Sequence, residues 1–174
     1  MQRLAQALFN RGMANCHQLD SEAAIRDFTD VIQLDNAPVE LVAEALNERG
    51  RMYGKQGDLE AAMGEYNGVI QLNGAPLRQV AYALLNRGAT YGLQGNWVAA
   101  IPEYTKVIQL AEVPLGQVAR ALVLRSATCL RVGDLQMARS DAETAVGLEC
   151  TPEDEKAYAR KTLELIDEIP GSQK

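Results

Sequence analysis

The chain has little of what chemistry usually requires. Its 174 residues include one histidine, His17, and three cysteines, Cys16, Cys129 and Cys150, far apart in sequence. No Cys-x-x-Cys pair and no Cys/His metal spacing occurs. An odd, scattered set of thiols fits a reducing, cytosol-like setting better than a disulfide framework. Cys16 beside His17 is not a catalytic pair, because neighbours on a helix point about 100° apart. No nucleophile–base constellation is present, and no glycine-rich loop follows a strand. The acid cluster Glu153-Asp154-Glu155 sits where a helix starts and reads as capping. These absences point to a non-enzymatic chain with no cofactor, no metal and no catalytic residue.

Long apolar runs are also missing, so no segment has the roughly 20 residues of a membrane span. The opening MQRLAQALFN is amphipathic and lacks a signal-peptide core, which leaves a cytoplasmic location as the expectation and a removed signal open. Basic residues are outnumbered, 17 to 23, for a net charge of −6. An acidic chain repels phosphate backbones, so nucleic acid is excluded as a general partner.

What the chain does have is repetition. The pair Ala-Leu recurs at Ala7, Ala45, Ala83 and Ala121, each 38 residues after the last. A fixed period of this size marks units that bury their apolar faces against neighbours. Each unit reads as two helices. In the second copy Val42, Leu46, Gly50 and Tyr53 share a face, Gly57-Asp58 breaks the chain, and Asp58 caps a helix carrying Ala62, Tyr66, Val69 and Ile70. Small residues Gly12, Gly50, Gly88 and Ser126 face Ala24, Ala62, Ala100 and Ala138, letting the two helices approach closely. Phe28, Tyr66 and Tyr104 fill the space beside them.

The residues Leu84, Gly88, Tyr91, Gly95, Ala100, Tyr104 and Val107, with their equivalents in the other copies, resemble the tetratricopeptide repeat over residues 3–150. The resemblance implies an all-α solenoid, a right-handed superhelix of four helix-turn-helix repeats near 3–36, 37–74, 75–112 and 113–150. With a capping helix at 152–169, residues 1–174 form one repeat domain. The family's usual period is 34 residues. The four extra residues here are close to one helical turn, and they lengthen each first helix so that it begins at Pro38, Pro76 or Pro114. The first copy has Asn15 and Leu19 where tyrosine and glycine are usual. In the capping helix, Thr151 reads as N-cap, Pro152 as first-turn residue, and Tyr158, Leu165 and Ile166 as the inward face. The N-terminus lacks such a cap. The expectation is a piece of a longer protein, or a partner at that end.

Each copy also carries an arginine, Arg11, Arg49, Arg87 or Arg125, with an acid sixteen positions later, Asp27, Glu65, Glu103 or Asp141. Equal distance from the turn predicts pairing within a repeat. A buried unpaired charge is costly, so structural ion pairs are favoured over a ligand site. Three oddities stand apart. Gly64 and Gly68 weaken their helix, Pro102 should bend its helix or open the first turns, and Trp97 is an elbow residue or an exposed anchor.

The resemblance implies a concave groove lined by the first helices and holding a partner peptide. Carried over residue by residue, repeat two contributes Asn47, Arg51 and Lys55. Repeat three contributes Tyr82, Leu85, Asn86 and Leu93, and repeat four Arg120, Val123 and Arg131. Two readings stand for the apolar members, a peptide floor or packing between adjacent helices. The family's carboxylate-binding arrangement is incomplete: Asn10 and Asn86 match an asparagine position, but the companion basic positions hold Phe9, Leu85 and Val123. The function expected is a protein–protein adaptor binding a protein or peptide of mixed apolar and acidic character. The alternatives are a structural spacer that self-associates through its N-terminal end, and a regulatory fragment of a larger protein.

Overall fold

The structure is a computed structural model in which residues 2–170 are described. Among them every regular element is an α-helix: α1 Gln2–His17, α2 Ser21–Gln33, α3 Val39–Gln56, α4 Leu59–Gln71, α5 Leu77–Leu93, α6 Trp97–Gln109, α7 Leu115–Val132, α8 Leu135–Gly147 and α9 Glu153–Asp167. The long first helices begin one residue after their prolines. Pro38 and Pro114 serve as N-caps and leave no N–H unpaired there. The second helices start alike. Asp20, Asp58, Asn96 and Asp134 each accept a hydrogen bond from the backbone N–H three residues on.

The chain divides into two compact units, Met1–Thr90 and Tyr91–Lys174, with the division inside α5. In the first, α1 and α2 form a hairpin, α3 and α4 form another, and α2 packs on α3. Ala5, Ala24, Phe28 and Val31 bury against Leu41, Ala45 and Met52 of α3. Ala43, Ala62, Tyr66 and Val69 bury with Ala83 of α5. The small residues are needed for this closeness. A Cβ on Gly12 would lie 2.7 Å from the Phe28 ring, and one on Gly50 2.8 Å from the Tyr66 ring. In the second unit, α6 packs on α7, α7 pairs with α8, and α9 lies against both α7 and α8. Here Ser126 replaces glycine and donates its hydroxyl to the Ala138 carbonyl at 2.7 Å.

Several expectations need correction. Thr151 is not the cap of α9. Pro152 takes that position and Thr151 is buried, because the helix begins at Glu153. The inward face of α9 is Ala159, Thr162 and Ile166, while Tyr158 and Leu165 are exposed; helical phase puts residues i, i+3 and i+7 on one side. Pro102 does not open the first turn of α6. The helix runs through it from Trp97 to Gln109 with the Asn96 cap intact, as an exposed proline there removes only one intrahelical bond. Trp97 is an elbow residue: its ring packs where a Cβ on Gly92 would stand, 2.7 Å away.

Candidate functional site

The repeated arginines come first, because they decide how much of the first helices is free. Within the units the pairing runs inside each repeat. Arg11 Nε donates to both Asp27 carboxylate oxygens at 3.0 Å. Arg49 Nη2 donates to both Glu65 oxygens at 2.8 Å. Arg125 Nε and Nη2 form a two-pronged pair with Asp141 at 2.7 and 2.8 Å. The remaining nitrogen does something the sequence spacing did not reveal. Arg49 Nη1 donates to Thr29, Arg87 Nη1 to Asn67 and Arg125 Nη1 to Thr105, each twenty residues earlier, on the second helix of the preceding repeat. The arginine thus joins hairpin to hairpin as well as closing its own. These guanidinium groups are structural rather than ligand-seeking.

The sequence-predicted peptide residues fall into different surroundings. In the first unit Asn47 is buried. Its side-chain amide donates to the Gln79 carbonyl and side-chain oxygen at 3.1 Å, so it knits α3 to α5. Leu85 is buried as well, at 3% exposure. Arg51 is half-buried and bound to Glu48 on its own helix. Tyr82 and Asn86 are half-buried, Lys55 is exposed, and Asn86 Nδ2 has no hydrogen-bond partner. In the second unit Leu93 is exposed, while Val123 is part of the core with Ala142, Ala145 and Ala159. Arg131 lies over the Trp97 ring, 4.7 Å from its centroid, a cation–π contact.

Arg120 and Val123 do come together. With Leu124 of α7 and Asp154, Glu155 and Tyr158 of α9 they line a notch of about 310 Å³. Glu155 Oε2 is buried there without a hydrogen-bond partner. Burial pushes the Glu155 carboxyl above its ordinary range, against the pull of Arg120, with Asp154 adding to the rise. Arg120 and Glu155 form no ion pair, although they share this space. Asp154, Glu155 and Tyr158 were not foreseen as site residues. The acidic run was visible in the sequence, but its nearness to α7 was not. Among the described residues no group of three or more His, Cys, Asp or Glu is arranged to hold a metal ion, and no helix is long and apolar enough to cross a membrane.

Residues 43–76 match the tetratricopeptide repeat family model. Solved structures extend the likeness to the other helices. A tetratricopeptide repeat protein from Parabacteroides merdae is 16% identical with a TM-score of 0.68, over 95% of this chain and 62% of that one. This chain therefore spans less than two thirds of that relative. Residues 41 to the end of MamA from Desulfovibrio magneticus are 18% identical with a TM-score of 0.67, over 99% and 98% of the two chains. A search of curated proteins finds no match. The tetratricopeptide resemblance is thereby shown, in one repeat by sequence and in the rest by fold. The class that the helices define is the all-α helical-repeat solenoid.

Proposed function

We propose that the chain is a non-enzymatic adaptor that holds a partner peptide against its first helices, with the α7–α9 notch as the principal anchor. The observation that supports this reading is an unmet buried acceptor and an unengaged cation lining one notch with apolar side chains. Glu155 Oε2 lacks a donor, Arg120 has no hydrogen bond or ion pair among the described residues, and Val123 and Leu124 line the same notch. Buried polar groups are nearly always satisfied, so an orphaned acceptor beside a free donor is a place for a ligand's own donor and acceptor. A peptide segment presents both, an amide or cationic donor for Glu155 and a carbonyl or carboxylate for Arg120. In the first unit Arg51, Lys55, Tyr82 and Asn86 supply the accessible polar groups of the same helix series. Asn47 and Leu85 act there by packing rather than by contact.

The test is a selection from a random peptide display library on the intact chain, beside the variant Arg120→Glu. Peptides retained by wild type and lost by the variant are expected. A library that yields nothing, or peptides held equally by both proteins, would overturn the notch as the anchor. Helix content should not change, because Arg120 is exposed.

A further inference from the structure

Two carboxylates of α9 are left over when its ion pairs are drawn. Glu153 takes both nearby cations of that helix, Lys156 at 3.6 Å and Arg160 at 3.3 Å. Asp154 and Glu155 hold no ion pair among the described residues, although both line the notch with Arg120. A helix start accounts for acids at these positions, but it does not account for burying one of them. Glu155 Oε2 is buried and has no donor. Its carboxyl stands above the ordinary range because burial outweighs the pull of Arg120. Two carboxylates against one guanidinium also leave the notch with one negative charge in excess.

Resting on the reading of this notch as the peptide anchor, we propose that the residue it receives is a lysine of the partner peptide. The ammonium meets Glu155 Oε2 and the Asp154 carboxylate, and the four-carbon stem lies along Val123, Leu124 and Tyr158. A backbone N–H would serve Glu155 as well, but a charged donor on a charged acceptor makes a bond about twice as strong. An incoming carboxylate would meet two like charges for one opposite. Arginine fits less well, since its flat fork asks for two acceptors in one plane. A lysine ammonium is a compact charge with three donors to share. Arg120 remains for a carbonyl of the peptide backbone. At this anchor the acidic character expected of the partner gives way to a basic residue.

The probes are four pools of degenerate heptapeptides that differ only in the central residue, which is lysine, norleucine, arginine or glutamate. Each pool is passed over the intact immobilised chain, and the retained fraction is measured. The lysine pool should be held about tenfold better than the norleucine pool, which keeps the stem and loses the ammonium. Glu155→Gln should remove that preference. Glu155 Oε2 has no partner to lose, so helix content by circular dichroism should be unchanged. A lysine pool held no better than the norleucine pool, or a preference that survives Glu155→Gln, would overturn the proposal. An arginine pool held as well as the lysine pool would do the same. Failure of the adaptor reading looks different. Peptides lost with Arg120→Glu but indifferent to Glu155→Gln keep the notch as anchor and overturn the lysine alone. Retention of no pool, or retention unchanged by either substitution, overturns both.

Discussion

Arg11 and Arg49 occupy the same repeat position in the same unit, pair with an acid sixteen residues on, and lie in different worlds. Arg49 is enclosed, and its guanidinium ties Glu65 to Thr29 of the hairpin before it. Arg11 reaches only Asp27, which also receives a bond from the Asn15 amide at 2.8 Å. The hairpin interiors around them are alike, with Gly12 against Phe28 and Gly50 against Tyr66. The lesson is that a repeat has two separable parts. One is an interior that every copy must preserve, and the other is a flank whose meaning depends on what lies next to it.

Four changes test that separation, in falling order of effect. Arg49→Ala leaves Glu65 unpaired at a largely enclosed site and should cost about 3 kcal/mol in urea unfolding. Arg11→Ala should cost clearly less, because that guanidinium is solvent-screened and Asn15 remains on Asp27. Equal losses would dissolve the comparison. Gly12→Ala and Gly50→Ala should each cost about 2 kcal/mol, since the new methyl meets an aromatic ring below 3 Å in both hairpins. Unequal losses would mean that the interiors differ as well.

The turns separate the two repeats again. Gly57 ends α3 with φ of 83°, a left-handed conformation natural to glycine, while Leu19 takes φ of 63° at the matching place with its side chain in solvent. Leu19→Gly should therefore raise stability by about 1 kcal/mol in the same assay. Alkali provides the mildest test. Burial pushes the Cys129 thiol from 9.0 up to about 11, and the Tyr104 phenol from 10.0 up to about 12. The folded state prefers the neutral forms, so their contribution is complete below pH 9 and lost as pH climbs through 11 and beyond. The urea midpoint should fall over that window, and Cys129→Ala should shallow the fall. Repeat one has Phe28 where Tyr66 and Tyr104 stand, so it lacks that phenol's share of the loss.

Much of this was legible before any coordinates. The 38-residue period located the helices to within a residue or two, because apolar spacing, Asp or Asn caps and Gly breaks repeat together. Equal distance from the turn was enough to find Arg49–Glu65 and Arg125–Asp141, since an antiparallel hairpin leaves little choice of level. The candidate site was read less well. Asn47 and Leu85 look like surface positions on a helical wheel, yet they are buried. A wheel shows which side of a helix a residue is on, not which neighbour covers that side. Thr151 was misplaced because α9 begins one residue later than read, and Tyr158 because the pattern did not show which side of α9 meets α7 and α8, although Ile166 was placed correctly.

The sequence by itself determined the periodic part of this protein. Helix lengths, caps, close-packed glycines and in-repeat ion pairs are local, and each depends on residues within one hairpin. Tertiary structure decided the rest. It brought Glu155 of α9 to Arg120 of α7 across thirty-five positions of unrelated sequence, aimed each Nη1 at the previous hairpin, and left the same nitrogen of Arg11 facing solvent. Those outcomes depend on which helix lies beside which. A one-dimensional pattern specifies the faces that must be covered, and only packing in three dimensions determines what covers them.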